Sequence, residues 1–150
     1  SPGLADGPAA TKRNRTAWRT ILESDLLDNP FLDTLGVSRT AWREGYAEFQ
    51  VRVQPALLNR RRVLQGGVIA TLLDAACGYS GLFSADPERV IHGVTLSLTL
   101  NFLDKGLGDA VIAKGFLERR GKSIYFARGE AWVDSGILIA TAQGTFKYAR

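Results

Sequence analysis

Residues 65–84 read QGGVIATLLDAACGYSGLFS, and this stretch decides the fold. At about 100° per residue, its large apolar side chains fall on one side of a helix that begins at Gly66. These side chains are Ile69, Leu72, Ala76, Tyr79 and Phe83. An apolar face of this size has to be buried, so the segment predicts a long helix, extending to about Ser84, that packs across another element of the fold.

Strand patterns on both sides of the helix predict the element against which it packs. Two extended runs precede the helix, separated at Gly45, and four more follow it, joined by short turns that suit antiparallel hairpins. The later runs cover residues 94–102, 109–118, 123–133 and 137–148. In the first of them, strict alternation places Val94 and Leu96 on the apolar face and Thr95 on the polar face. The chain therefore predicts an α+β fold, with an antiparallel sheet of about six strands and one long helix.

The first residues of the chain show neither the periodicity of a helix nor that of a strand. Residues 1–15 are rich in Gly, Pro, Ala and basic residues, which predicts a flexible tail. Thr16 then suits the N-cap of a short helix that runs through Leu26 and ends before Asn29-Pro30. We expect residues 16–150 to form a single domain.

Composition limits the classes of function. The 150 residues, 45% of them hydrophobic and 23% charged, suit one globular domain without a membrane insertion. The single Cys77 and the single His92 exclude an internal disulfide and the usual protein-only zinc sites, so we expect no metal and a cytoplasmic location. A net charge of +4 suits an anionic ligand but is too weak to indicate nucleic acid.

Asp74 lies on the side of the helix opposite the apolar face. Its neighbours there are all small: Gly67, Ala70, Thr71, Cys77, Gly78 and Gly81. Small residues allow another backbone to approach, or they leave room for a substrate beside a carboxylate. A helix face exposed to solvent would carry several polar residues, so the pattern favours a functional carboxylate facing a subunit interface.

The start of the helix offers a second chemical feature. Gly66 and Gly67 lie in the first turn, where N–H groups have no partner within the helix and the dipole favours negative charge. Without Cβ atoms, glycines let a ligand carbonyl reach these donors. A glycine pair before a helix is more often a simple turn, so this feature alone is weak.

The segment NRRRVLQGGVIATLLDAA, residues 59–76, resembles the signature of PaaI-like hotdog-fold thioesterases. That signature is an Asn, a short loop, His-Gly-Gly, and an Asp eight residues after the first Gly. Asn59, Gly66, Gly67 and Asp74 fall in register with it, and the resemblance extends over residues 33–148. It implies a hotdog fold, in which the sheet wraps around the central helix, and an acyl-CoA thioesterase that forms homodimers or homotetramers.

The same resemblance implies a role for each matching residue. The Gly66 N–H would bind the thioester carbonyl oxygen, Asp74 would serve as general base or as nucleophile, and Asn59 and Thr95 would place the water. The family's His is Gln65 here, and a Gln side chain can orient the carbonyl through its N–H groups but cannot transfer a proton. CoA is part of the substrate, so no separate cofactor is expected.

Contacts to CoA are assigned to Gly67 and to basic loop residues, whose charges are equally explained as solvated surface. The basic residues are Arg60, Arg61, Arg62, Arg119, Arg120 and Lys122. A non-catalytic acyl-CoA binding module is the alternative function. A hotdog dehydratase is disfavoured because His92, the single His, lies outside the helix region. A hydrolase built on Cys77, His92 and Asp74 is disfavoured because nothing in the sequence indicates that His92 reaches the other two.

Overall fold

The computed structural model describes residues 29–149. The predicted tail and the predicted helix from Thr16 lie outside these residues and stay predictions. The described chain begins with a six-residue helix, α1 (Pro30–Leu35), where the sequence had predicted a break. Proline is well suited to the first position of a helix, because the N–H that it lacks has no partner there. Pro30 therefore suits the start of α1, a helix that the sequence analysis did not predict, while the predicted end of the Thr16 helix before Asn29-Pro30 stays a prediction.

Six strands and one long helix follow, as predicted. Strands β1 (Val37–Arg43) and β2 (Tyr46–Arg52) come first, then a 3-10 turn (Pro55–Leu57) and helix α2 (Gly66–Ser80). The remaining strands are β3 (His92–Phe102), β4 (Ala110–Arg120), β5 (Ile124–Val133) and β6 (Leu138–Ala149). They form one antiparallel sheet in the order β1-β2-β4-β5-β6-β3. Strand β3 therefore lies at one edge, although it precedes β4 in the chain.

Helix α2 packs against the sheet on more than the one face that the wheel predicted. Ile69, Leu72 and Ala76 are buried as expected, but Cys77 and Gly78 from the small-residue face are buried too. The reason is that the sheet contacts the helix from several strands, with β4, β2 and β5 contributing most. Only the part of the small-residue face nearer the start of the helix stays open: Gly67 is exposed, and Ala70, Thr71 and Asp74 are partly buried.

Glycines on strands β4 and β5 allow this close contact. A Cβ atom at Gly115 would overlap the backbone carbonyl of Ala76 in α2, and one at Gly129 would lie 2.8 Å from the Cys77 sulfur. Real Cβ atoms are almost never found so close to other atoms, so side chains at these two positions would push the helix off the sheet. Gly115 and Gly129 thus set the distance between helix and sheet.

Strand β3 differs from its prediction in one important respect. Its register with β6 shifts between Thr95 and Ser97, which marks a β-bulge. Cross-strand partners share a face of the sheet, and Thr95 pairs with the buried Phe146, so Thr95 faces the helix. Val94 pairs with exposed Lys147 and faces away. Val94 and Thr95 lie on opposite faces, as predicted, but Thr95 and not Val94 is on the helix side, because the bulge inserts one residue and reverses the faces before it.

Candidate active site

The bulge brings Thr95 to the carboxylate of Asp74. The Thr95 hydroxyl donates a hydrogen bond of 2.7 Å to Asp74 Oδ1. Asp74 is partly buried on the third turn of α2, so one carboxylate oxygen is held while the group keeps access to solvent. The sequence analysis named both residues from a family resemblance, but their contact depends on the bulge, which the alternation of residues 94–102 did not predict.

The start of α2 leaves backbone donors open. Gln65 is the N-cap and makes no side-chain cap hydrogen bond, while its carbonyl accepts from the N–H of Val68 and Ile69. Within residues 29–149, no acceptor pairs with the N–H of Gly66 or Gly67. Gly67 has nothing within 4 Å of a Cβ position, so the first turn is open on that side within residues 29–149. An anionic or carbonyl oxygen can reach these donors.

Asn59 shapes the loop that leads into this helix. Its side-chain oxygen accepts hydrogen bonds from the N–H of Arg61, at 2.8 Å, and of Val63, at 3.3 Å. Its backbone N–H donates to the Val63 carbonyl, and Arg62 takes a left-handed φ of 64° within the turn. The oxygen of Asn59 is therefore used by the turn, and its NH₂ group is what remains to donate to a ligand or water.

The predicted basic residues form two separate groups. Arg60 and Arg61 line an open depression of about 540 Å³ together with Leu58, Asn59 and Gln65, at the amino end of α2. Arg120 and Lys122 line a groove of about 620 Å³ with Arg89 and His92, near Gly81 at the carboxyl end. Fifteen residues of helix span about 22 Å, so the two groups of one chain do not meet around one ligand phosphate.

Arg120 is also held by internal contacts. Its guanidinium donates to Tyr148 Oη at 2.7 Å and to Glu44 Oε1 at 2.9 Å, with a longer contact of 3.5 Å to the Gly81 carbonyl. The hydrogen bonds to Glu44 and Tyr148 raise the pKa of Arg120 above its ordinary value. These bonds tie the turn between β1 and β2 to the carboxyl end of α2. Arg119 and Lys122 are exposed nearby.

The carboxyl end of α2 is closed by side-chain donors. Trp42 Nε1 donates to the Tyr79 carbonyl at 2.8 Å, and the Tyr125 hydroxyl donates to the Gly78 carbonyl at 2.7 Å. Burial raises the pKa of Tyr125 well above that of an ordinary tyrosine, so this hydroxyl stays protonated and can donate. Helix carbonyls that lack a partner within the helix are thus satisfied.

Cys77 has the environment of a packing residue. It is fully buried, and burial raises the pKa of its thiol to about 12. The thiolate, which is the nucleophilic form, is therefore negligible at neutral pH. His92 is exposed at the start of β3 in the groove near Arg120. Within residues 29–149, no group of three His, Cys, Asp or Glu side chains is placed to hold a metal ion, and no helix is long and apolar enough to cross a membrane.

Comparison with known proteins decides the family. Residues 62–140, which include the whole of α2 and the contact between Asp74 and Thr95, match the Thioesterase superfamily. The chain belongs to the thioesterase superfamily. This membership confirms the predicted resemblance to hotdog thioesterases and the predicted enzyme class, a thioester hydrolase.

Relatives of this thioesterase agree with the assignment. It is 28% identical over 143 residues to the medium/long-chain acyl-CoA thioesterase YigI of Escherichia coli K12, covering 87% of this chain and 92% of the relative. Among solved structures, the E. coli PaaI protein of the phenylacetic acid degradation operon has a TM-score of 0.74 at 18% identity, covering 92% of this chain and 95% of that one. The Bacillus halodurans protein BH2602, solved with CoA, has a TM-score of 0.73 at 21% identity, covering 95% and 93%. The hotdog fold predicted from the sequence is confirmed.

Proposed function

We propose that this thioesterase hydrolyses acyl-CoA to a free acid and CoA, with Asp74 as the general base and the Gly66 N–H as the oxyanion donor. The observation that carries the proposal is the 2.7 Å hydrogen bond from Thr95 to Asp74, in a member of the thioesterase superfamily. Because Thr95 holds Oδ1, the Oδ2 atom is left to accept a proton from water. The acyl-CoA class follows the name of the E. coli relative.

The reaction proceeds in two steps. Water attacks the thioester carbonyl carbon while Asp74 takes its proton, and the charge that develops on the carbonyl oxygen is stabilised by the Gly66 N–H. The tetrahedral intermediate then collapses, the carbon–sulfur bond breaks, and the leaving CoA sulfur recovers the proton from Asp74. Gln65 orients the carbonyl through its amide, and the NH₂ group of Asn59 helps to place the water.

A second copy of the chain completes the site in this proposal. Gly66 and Asp74 are eight residues apart on one helix, about 12 Å along its axis. An oxyanion donor and a base that serve one carbonyl each lie within about 3 Å of the reacting atoms. That separation within one helix favours a site in which Gly66 of one subunit acts with Asp74 of another.

The edge strand β3 is suited to such a contact. Among the strands of residues 29–149, it has a neighbour on one side only, which leaves an edge of eleven residues. Val94 and Leu96 on this strand are 50% and 55% exposed, which is unusual for apolar side chains of a strand in a monomer. Edges of this kind readily pair with a second chain. We infer a homodimer formed through β3, beside the carboxylate of Asp74; pairing of dimers into tetramers stays a prediction.

A coupled thiol-release assay with a panel of acyl-CoA esters tests the activity. Release of free CoA from at least one ester, dependent on enzyme concentration, is the expected result. Binding of acyl-CoA without thiol release would instead identify a non-catalytic binding module and overturn the proposal.

Asp74→Asn tests the assigned base directly. Because an amide oxygen still accepts the Thr95 hydrogen bond, fold and ligand binding should survive, while turnover falls by about 10²–10⁴, the usual contribution of a general base. Asp86→Asn, a matched change on an exposed loop, should leave turnover unchanged. Gln65→Ala should cost less than Asp74→Asn, since Gln65 transfers no proton. Near-normal turnover of Asp74→Asn would contradict the mechanism.

A further inference from the structure

Phe102 lies at the carboxyl end of β3, beside the first turn of α2. A Cβ atom built on Gly66 would lie 3.5 Å from Cε1 and Cζ of the Phe102 ring, which is ordinary van der Waals contact. In the sequence, Phe102 is only the last residue of the predicted strand run 94–102. The structure instead places its ring next to the residue whose N–H is the proposed oxyanion donor.

The position of the ring is set by the backbone around it. Phe102 pairs with the buried Ala140 on β6, so its side chain is on the helix side of the sheet. The loop after it is joined to the residue before the helix cap, since the Leu64 N–H donates to the Gly106 carbonyl at 3.2 Å. A Cβ at Gly106 would lie 2.7 Å from the Leu64 Cβ, so the loop packs tightly there. The Phe102 backbone is therefore held in a defined place relative to α2.

The ring is nevertheless largely exposed. Phe102 is 54% exposed, and its neighbours on the same loop, Leu103 and Leu107, are 55% and 54% exposed. The exposed Phe102 ring, beside the open backbone donor of Gly66, offers a surface on which an apolar group would be buried with a gain in free energy. A thioester carbonyl held by Gly66 would place the start of its acyl chain at this surface.

We propose that Phe102 is a specificity-determining residue, whose ring contacts the acyl chain next to the thioester carbonyl and favours long apolar chains over acetyl. This inference rests on the proposed function, because it requires the carbonyl to bind at Gly66. Contact between an acyl chain and the ring removes apolar surface of both from water, whereas an acetyl group offers a single methyl for such contact.

The test compares Phe102→Ala with wild type on octanoyl-CoA and acetyl-CoA. The kcat/KM for octanoyl-CoA should fall by about 10- to 100-fold, the range expected when a few apolar contacts to a substrate are lost, and that for acetyl-CoA by less than about 3-fold. Phe102→Leu should recover part of the loss. Phe126→Ala, which removes a phenylalanine that is 41% exposed and pairs with Thr145 on the opposite face of the sheet, is the matched control and should change neither value.

Three results would overturn the assignment of Phe102. They are an unchanged octanoyl-CoA profile, an equal loss on both esters, and dissociation of the oligomer of Phe102→Ala in light scattering, which would make the ring an interface residue. Calorimetry of octanoyl-CoA binding to Asp74→Asn, and to the double variant that also carries Phe102→Ala, measures the contribution of the same contact to affinity in the absence of turnover. If wild type hydrolyses no acyl-CoA, the proposed function fails while calorimetry still decides the role of Phe102.

Discussion

The two ends of helix α2 are built in opposite ways. At the carboxyl end, Trp42, Tyr125 and Tyr148 donate hydrogen bonds to carbonyls of the last turn and of the residue after it. At the amino end, Gln65 makes no side-chain cap, and within residues 29–149 nothing accepts from the Gly66 N–H. Helix ends are normally satisfied by side chains, water or ligands. The carboxyl end thus anchors the helix, and in our proposal the amino end receives the ligand oxygen.

The glycines of the helix and of the sheet show the same division. Gly115 on β4 has no room for a Cβ, because the helix backbone fills the space, whereas Gly67 has nothing within 4 Å. The first glycine allows two parts of the protein to pack, and the second leaves its side of the helix open within residues 29–149. We call the amino end of α2 the open end and its carboxyl end the closed end. Changes at the open end should therefore alter turnover, and changes at the closed end should alter stability.

The largest effect is expected at the open end, from Gly66→Pro. Gly66 is the first helical residue, and Gln65 before it has φ −59° and ψ 134°, a conformation that a following proline accepts. Proline keeps a helical φ but has no N–H, so turnover should fall by about 10²–10³, as for loss of one oxyanion donor. Gly66→Ala, which adds a Cβ but keeps the N–H, should lose much less. Equal turnover of the two variants, measured by thiol release, would remove the N–H from the mechanism.

Mixing Gly66→Pro chains with Asp74→Ala chains extends the test to the dimer. In a mixed dimer, one shared site carries both changes and the other carries neither. With random exchange in a two-fold dimer, about a quarter of wild-type activity should return. Circular dichroism and light scattering establish first that both variants fold and assemble. Inactive mixtures of well-folded, exchanging chains would place each site within one chain.

At the closed end, Tyr125→Phe should reduce stability and leave turnover per folded molecule unchanged. The variant removes the hydrogen bond to the Gly78 carbonyl inside the core, which should lower the free energy of unfolding by about 1–2 kcal/mol. Denaturant unfolding measures this loss. Tyr46→Phe, which removes a part-buried hydroxyl on the other face of the sheet, is the control and should cost less. A loss of turnover with unchanged stability would mean that the two ends are not divided in this way.

The smallest effect is expected from the basic residues near the open end. Replacing Arg60 and Arg61 by Gln should raise KM for acyl-CoA about 2- to 5-fold per residue, since exposed ion pairs contribute about 0.2–1 kcal/mol each. Replacing Arg119 and Lys122, near the closed end, by Gln tests the second group of basic residues. A higher KM for acyl-CoA in the same assay would show that these residues contact the CoA bound to a neighbouring subunit. Added salt should mimic the charge losses. A truncated thioester without the nucleotide should be insensitive; equal effects on both substrates would leave these arginines as solvated surface.

The sequence by itself determined the strands, the long helix and the family. Apolar residues recur every second position in a strand and about every 3.6 positions in a helix, and both patterns are local properties of the sequence. The six strands and α2 were therefore predicted close to their observed bounds. The spacing of Asn59, Gly66 and Asp74 matched a family signature without reference to any fold. Helix α1 at Pro30–Leu35 was not predicted, because proline is compatible both with ending a helix and with beginning one.

Contacts between residues distant in the chain were decided by the tertiary structure alone. The bulge in β3 turns Thr95 toward Asp74, and it exists only in relation to the register of β6. Cys77 is buried because the sheet covers more of the helix than its apolar face required. Phe102 meets Gly66 because the end of an edge strand and the start of a helix are brought together by packing. A local pattern predicts the face of a helix or strand on which a side chain lies, whereas the residue that this side chain contacts depends on the register of the whole sheet.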